Sequence, residues 1–295
     1  MSSPSRHGGR HELGQNFLTD RAVIADIQRL VAATRGPIVE LAAGDGALTV
    51  PLGRLGRPVT AVELDPRRAR RLRRRVTGNV TVVNDDLLRF RLPNVPHVVV
   101  GNLPFHLTTA ALRRLLAARH WHTAVLVVQW EVARRRAGVG GASLLTASWW
   151  PWYEFAVHAR VPARAFRPVP SVDGGLLTAV RRPEPLVADL GGYQRFVSRV
   201  FTGPGRGLGE VLVRTGQVPR SVLRDWLRAH RLSPQVLPRD LTARQWADLW
   251  ARVRPGEAAA GPRGGGATPA RRRGRGRGSG SSPPGAVGGG GRSRG

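Results

Sequence analysis

The stretch Ile38-Val39-Glu40-Leu41-Ala42-Ala43-Gly44-Asp45-Gly46-Ala47-Leu48-Thr49 decides the fold. Its first four residues form a short run bounded by Pro37 and a glycine turn, which is the pattern of a buried strand. Gly44 and Gly46 then make a Gly-x-Gly turn from strand into helix, where glycine lets a ligand approach the backbone closely. A dinucleotide fingerprint wants a third glycine three residues on, and Thr49 stands there instead, so a pyrophosphate site is disfavoured.

Outward from this turn, short β-branched runs at residues 59–63, 80–83, 98–100 and 123–129 read as further buried strands. Helical stretches at 21–33, 66–75 and 108–119 lie between most of them, and two more strands are expected at 153–159 and 175–180. Such alternation predicts an α/β fold with a mostly parallel seven-stranded sheet covered on both faces. Beyond Pro185 the pattern turns purely helical, at 193–201, 208–215, 220–230 and 243–253. The expected organisation is a disordered start (1–10), an α/β domain (11–182), a small all-α domain (183–254) and a Gly/Arg-rich tail (255–295) that cannot bury enough apolar surface to fold. That tail is either a solubilising extension or a nonspecific RNA tether.

Composition narrows the function classes. The 295 residues include no cysteine, which excludes disulfides, thiolate metal sites and a cysteine nucleophile, and points to a reducing cytoplasm. No metal is expected: the eight histidines show no ligand spacing and there is no HExxH, while Gly138-Val139-Gly140-Gly141 lacks the lysine of a phosphate loop. No apolar run is long enough for a membrane span and residues 1–10 lack the apolar centre of a signal peptide, so no membrane association is expected. The net charge is +28, and every one of the 47 basic residues is arginine. A GC-rich genome explains the choice of arginine over lysine; it does not explain the excess of base over acid. A polyanion, nucleic acid before membrane surface, is the expected partner.

The glycine turn and two acids gather at one edge of the predicted sheet. Glu63, 23 residues after Glu40, ends the second strand of the run and can accept hydrogen bonds from both hydroxyls of a ribose. Asp86, after the third, is placed for an adenine amino group. The competing reading is that these acids only cap helices. The fourth strand ends in Gly101-Asn102-Leu103-Pro104-Phe105-His106. Pro104 holds Leu103 extended, which can aim the Asn102 amide oxygen and the neighbouring carbonyl at one amino group, while Phe105 offers a face for a base.

Taken in order, Gln15-Asn16-Phe17-Leu18, Glu40 to Gly46, Glu63-Leu64-Asp65, Asp86, Asn102-Leu103-Pro104-Phe105 and Phe166-Arg167-Pro168-Val169-Pro170-Ser171-Val172-Asp173 resemble the motifs of S-adenosylmethionine-dependent rRNA adenine N6-methyltransferases. That superfamily includes the Erm macrolide-resistance enzymes and the small-subunit rRNA dimethyladenosine transferases. The resemblance spans residues 11–250 and implies a Rossmann-like class I methyltransferase fold. It implies cofactor contacts at Asn16, Leu18, Ala42, Gly44, Gly46, Glu63, Asp86 and Asn102, and a catalytic group of Asn102, Leu103, Pro104, Phe105 and Phe166. Phe166 is either the second wall of the base pocket or an ordinary core residue. Ala42 and Ala43 stand where many relatives carry glycine, which makes backbone approach tighter.

Gln129-Trp130-Glu131-Val132-Ala133-Arg134-Arg135-Arg136 and Trp149-Trp150-Pro151-Trp152 are similar to the Erm enzymes of actinomycetes, which implies large-subunit rRNA as substrate and partner, for a monomer. The tryptophans read as a core patch or as RNA-stacking groups, and the arginine runs 67–75, 113–114 and 134–136 as solvated faces or phosphate contacts. Two alternatives remain: a small-subunit rRNA dimethyladenosine transferase sharing all cofactor residues, and a non-catalytic RNA-binding factor on the same fold.

Overall fold

The computed structural model describes residues 16–76 and 78–253. The start at 1–10, Gln15 and the tail at 255–295 lie outside the described residues.

A two-residue strand β1 (Phe17–Leu18) leads into α1 (Arg21–Ala32). Asp20 caps α1 by accepting from the Ala22 and Val23 N–H groups, and the buried Ile27 and Val31 turn its apolar face inward. There follow β2 (Ile38–Leu41), α2 (Thr49–Gly53), β3 (Val59–Glu63), α3 (Pro66–Arg73), β4 (Val80–Asn84), β5 (His97–Asn102), α4 (Thr108–Ala117) and β6 (Trp121–Gln129). Asp65 caps α3, with Pro66 in the first turn, where its missing N–H costs nothing. Next come α5 (Trp130–Arg136), α6 (Leu144–Trp149), β7 (Tyr153–Val161), β8 (Phe166–Arg167) and β9 (Gly174–Arg181).

Seven of these strands form one sheet in the order β4-β3-β2-β5-β6-β9-β7. The first five run parallel; β9 inserts antiparallel to both β6 and β7. The period of two along the strands sorts the core into two layers. Val99, Ala124 and Leu126 face α4, packing with Leu112, Leu115 and Leu116, whereas Val98, Val100, Val125 and Val127 pack with Ile27 and Val31 of α1 and Leu52 of α2. From β2 the chain goes outward to β3 and β4, then returns to the other side of β2 as β5. That reversal opens a crevice above the carboxyl ends of β2 and β5, the place where open α/β sheets bind ligands.

Helices α7 (Leu190–Thr202), α8 (Leu208–Arg214), α9 (Arg220–Ala229) and α10 (Ala243–Ala251) enclose their own apolar cluster around Tyr193, Phe196, Leu212, Trp226 and Trp246. Ala147, Trp150 and Trp152 pack into the same cluster, and the Tyr193 hydroxyl donates to the Ala147 carbonyl at 2.9 Å. Trp149 and Trp152 also border the sheet's core, so the tryptophan run packs between sheet and helices. α2, α5 and α6 were not anticipated from sequence. They run five to seven residues, too short for periodicity to show. α7 starts three residues before the expected 193, because Asp189 accepts from the Gly192 N–H and starts the helix there.

Candidate functional site

The crevice is built first from the turn after β2. Gly44 and Gly46 have φ of +57° and +87°, a region open to glycine, and Ala42 adopts φ +60° despite its Cβ. A Cβ on Gly46 would lie 2.4 Å from Leu72 Cδ1, so the turn is pressed against α3. Glu63, buried at the end of β3, holds the turn: its Oε2 accepts from Gly44 N–H at 2.7 Å and its Oε1 from Asp65 N–H at 2.9 Å. Each oxygen keeps a lone pair for a further donor.

Asp86 stands on the same edge. Its Oδ1 accepts from Leu88 N–H at 2.8 Å, and Arg89 Nε lies 4.0 Å from its Oδ2. The carboxylate therefore shapes its own turn while lining a cavity with Ala42, Glu63, Leu64, Pro104 and Leu107. A second cavity of about 260 Å³ shares Ala42 with it, and its walls include Phe17, Leu18, Glu40, Gly44, Arg75 and Asn102. Ala42 thus joins two chambers of one crevice.

Glu40, to which the sequence pattern assigns no role, also lines this crevice. It is 1% exposed on an otherwise apolar strand, and its Oε2 has no hydrogen-bond partner. Burial, reinforced by the negative charge of Glu63, pushes its carboxyl up to about 8. The signal available beforehand was a lone carboxylate in a four-residue buried strand.

The loop after β5 completes the crevice. Leu103 N–H donates to Val127 O at 3.0 Å, and Leu107 N–H to Pro104 O at 2.9 Å, which fixes the loop at both ends. Asn102 Nδ2 donates to Asn16 O at 2.7 Å. That bond assigns the amide's orientation and turns Oδ1 the other way, as an acceptor. Asn16 leads into β1, which pairs antiparallel with β8 through Phe17↔Arg167 and Leu18↔Phe166. Thr19 anchors the segment further, its N–H donating to Ala165 O at 2.8 Å. Phe17 lies under the Arg68 guanidinium, 4.2 Å from ring centroid to Cζ, and Arg68 pairs with Asp45 on the glycine turn.

Phe105 is half-buried, and Phe166 meets it edge-on with ring centroids 5.9 Å apart. Phe166 is itself completely buried among Leu18, Val161 and Ala165. In this arrangement it presents no face to a base; it backs Phe105. Of the residues expected at the site, Leu18, Ala42, Gly44, Glu63, Asp86, Asn102 and Pro104 line the crevice. Asn16 is tied to it through the Asn102 amide, Phe105 is half-buried in the following loop, and Leu103, Gly46 and Phe166 pack behind it. Among the described residues no group of His, Cys, Asp or Glu is arranged to hold a metal ion.

A mostly parallel sheet of this order, with a glycine turn, an acid after the next strand and no phosphate loop, defines a Rossmann-like methyltransferase fold. The chain belongs to the ribosomal RNA adenine dimethylase family, whose model matches residues 6–253. It is 56% identical over 246 residues to the mycinamicin-resistance protein MyrB of Micromonospora griseorubida, covering 82% of this chain and 78% of that one. It is 53% identical over 211 residues to an rRNA adenine N-6-methyltransferase of Corynebacterium diphtheriae, covering 70% and 83%. The crystal structure of the 23S rRNA methyltransferase ErmE superposes with a TM-score of 0.75 at 36% identity, over 81% of this chain and 99% of that chain.

Proposed function

We propose that this chain transfers methyl groups from S-adenosylmethionine to N6 of a specific adenine in large-subunit rRNA, giving resistance to macrolides, lincosamides and streptogramin B. The observation that carries the reading is the Asn102 amide, tied through Nδ2 to Asn16 so that its oxygen is left as an acceptor beside the half-buried Phe105. An exocyclic amine is a poor nucleophile because its lone pair is conjugated into the ring. Asn102 Oδ1 and the Leu103 carbonyl accept its two N–H bonds, favouring a pyramidal nitrogen, and Phe105 stacks on the base that has left its helix.

The residues fit the co-substrate. Glu40 offers a buried carboxylate oxygen without a partner, which an α-ammonium satisfies, and Glu63 and Asp86 keep acceptor capacity for ribose hydroxyls and the adenine amine. Leu18 and the turn at Ala42 and Gly44 enclose the methionine end, with Gly46 packing that turn against α3 and Asn16 orienting the Asn102 amide. When bound, S-adenosylmethionine supplies a methyl group on a sulfonium, already a good leaving group. The chain's task is then alignment, acceptance of the amine hydrogens and exclusion of water. As the N–C bond forms, the S–C pair returns to sulfur and the amine proton leaves to solvent. No metal has a part in this scheme.

The choice of large-subunit rRNA draws support from the identity to MyrB and from the likeness to ErmE. The enzyme acts on ribosomes in the cytoplasm as a monomer; no helix among the described residues is long and apolar enough to cross a membrane. Residues 11–182 carry cofactor and chemistry, and 183–254 form a small helical domain. Expression in a macrolide-sensitive host, followed by primer extension on both ribosomal RNAs, tests the proposal. The expected outcome is a stop at one adenine of 23S rRNA together with resistance. Dimethyladenosine in 16S rRNA with unchanged sensitivity would assign the chain to the small-subunit branch, and no methylation by protein that binds the co-substrate would leave an RNA-binding factor.

A further inference from the structure

The 260 Å³ cavity beside Asn102 is lined by three charged residues: Glu40, buried, Asp45 on the glycine turn, and Arg75, exposed just beyond the end of α3. Arg75 Nη1 donates to the Asp45 main-chain carbonyl at 2.6 Å, which holds its guanidinium against the glycine turn. Two other arginines reach the same turn, yet both are spent on the Asp45 carboxylate: Arg68 pairs with it closely and Arg71 Nη2 lies 3.6 Å away. Arg75 is different in that no carboxylate of the described residues pairs with it. One guanidinium nitrogen is bound to a neutral carbonyl, and the rest of the fork keeps its positive charge and its donors.

A cation paired with no carboxylate and a buried carboxyl with one oxygen lacking a partner, both on one cavity, match a ligand end that carries both charges at once, an amino-acid zwitterion. We infer that Arg75 binds the α-carboxylate of the methionine end of the co-substrate, across the cavity from Glu40, which takes the α-ammonium. This rests on the S-adenosylmethionine reading above. Leu18, Ala47 and Leu48 give the chamber apolar walls, and since the Asp45 carboxylate is already paired with Arg68 and Arg71, Glu40 and Arg75 are the charged groups left there for a ligand, beside the polar Thr19 and Asn102. Arg75 is a binding residue by this account, and it selects for the carboxylate.

Calorimetry on the full chain with three probes tests it: S-adenosylmethionine, its decarboxylated analogue, which keeps the ammonium and sulfonium, and 5′-methylthioadenosine, which lacks the amino-acid end. The wild-type chain is expected to bind S-adenosylmethionine about tenfold more tightly than the decarboxylated analogue, the scale of a partly exposed charged hydrogen bond. Arg75→Ala loses that preference while its affinity for 5′-methylthioadenosine is unchanged; Arg75→Lys keeps part of it, and Arg75→Glu reverses it. A preference retained in Arg75→Ala, or an equal loss for all three probes, overturns the inference and leaves the cofactor reading standing. Failure of the wild-type chain to bind S-adenosylmethionine overturns both.

Discussion

Asn102 Nδ2 donates a hydrogen bond of 2.7 Å to the main-chain carbonyl of Asn16, a residue 86 positions earlier in the chain. The contact lets an N-terminal segment decide which end of a side-chain amide faces the crevice. An amide can satisfy Asn16 with its nitrogen only by turning its oxygen away.

That relationship predicts different outcomes for two small substitutions. Asn102→Ala removes the acceptor and is expected to lower kcat by about 10–100-fold with a smaller change in RNA affinity, because the bond strengthens as charge develops on nitrogen. Asn102→Asp keeps acceptors but places a carboxylate against the Asn16 carbonyl, so it is expected to be no better than alanine. Single-turnover kinetics alongside RNA binding checks both; near-normal turnover by Asn102→Asp would refute the role of the Asn16 bond.

The two phenylalanines should separate stability from function. Phe166 is completely buried, so Phe166→Ala is expected to cost about 3–5 kcal/mol in denaturant unfolding. Phe105 is half-buried and should cost less when truncated, but Phe105→Ala should depress turnover sharply while Phe105→Tyr and Phe105→Trp stay active. Equal melting losses for the two alanine variants would argue against this division.

Glu40 makes binding pH-dependent. Its carboxyl is pushed up to about 8 in the free protein, so it is largely protonated at pH 7. A bound ammonium favours the ionised form, so binding expels a proton: affinity should rise as pH increases toward 8 and level off above it. In the unliganded protein the sign is opposite for stability. The unfolded carboxyl ionises near its ordinary 4.5 and the folded one near 8, so this group's contribution is fully present below 4.5 and is lost progressively between those values. Calorimetry in buffers of different ionisation enthalpy should detect proton release at pH 7 that Glu40→Gln abolishes.

Arg68 holds Phe17 on the wall of the 260 Å³ chamber by stacking on its ring and pairing with Asp45. Arg68→Ala is expected to raise KM for the co-substrate several-fold and kcat to change less, consistent with about 0.5–1 kcal/mol for a half-buried cation–π contact. Raising salt should weaken binding in the wild type more than in the variant. If kcat falls and KM does not, Arg68 acts on the chemistry and not on the chamber.

Much of this molecule is legible locally. β-branched runs mark β2 to β6, and the absence of a glycine at Thr49 already disfavours a pyrophosphate site. Glu63 and Asp86 could be placed at one edge because parallel strands alternate with helices and all end on the same side. These inferences depend on periodicity and turn chemistry, which act over a few residues. The short helices α2, α5 and α6 escaped them. α6 is fixed by the Ser143 cap and by Thr146, whose hydroxyl donates to Arg135 O, a tertiary bond that no pattern announces.

The strands, the glycine turn and the acids at the sheet edge follow from local sterics and side-chain period, and can be read residue by residue. What those groups can do depends on how the chain packs. Glu40 becomes a poised carboxyl because layers from both faces of the sheet strip it of water, and Asn102 acquires one orientation because β1 returns to pair with β8 beside it. Phe166 is withdrawn behind Phe105 by the same pairing. Burial and long-range hydrogen bonding depend on which distant segments meet, and that is a property of the packed chain.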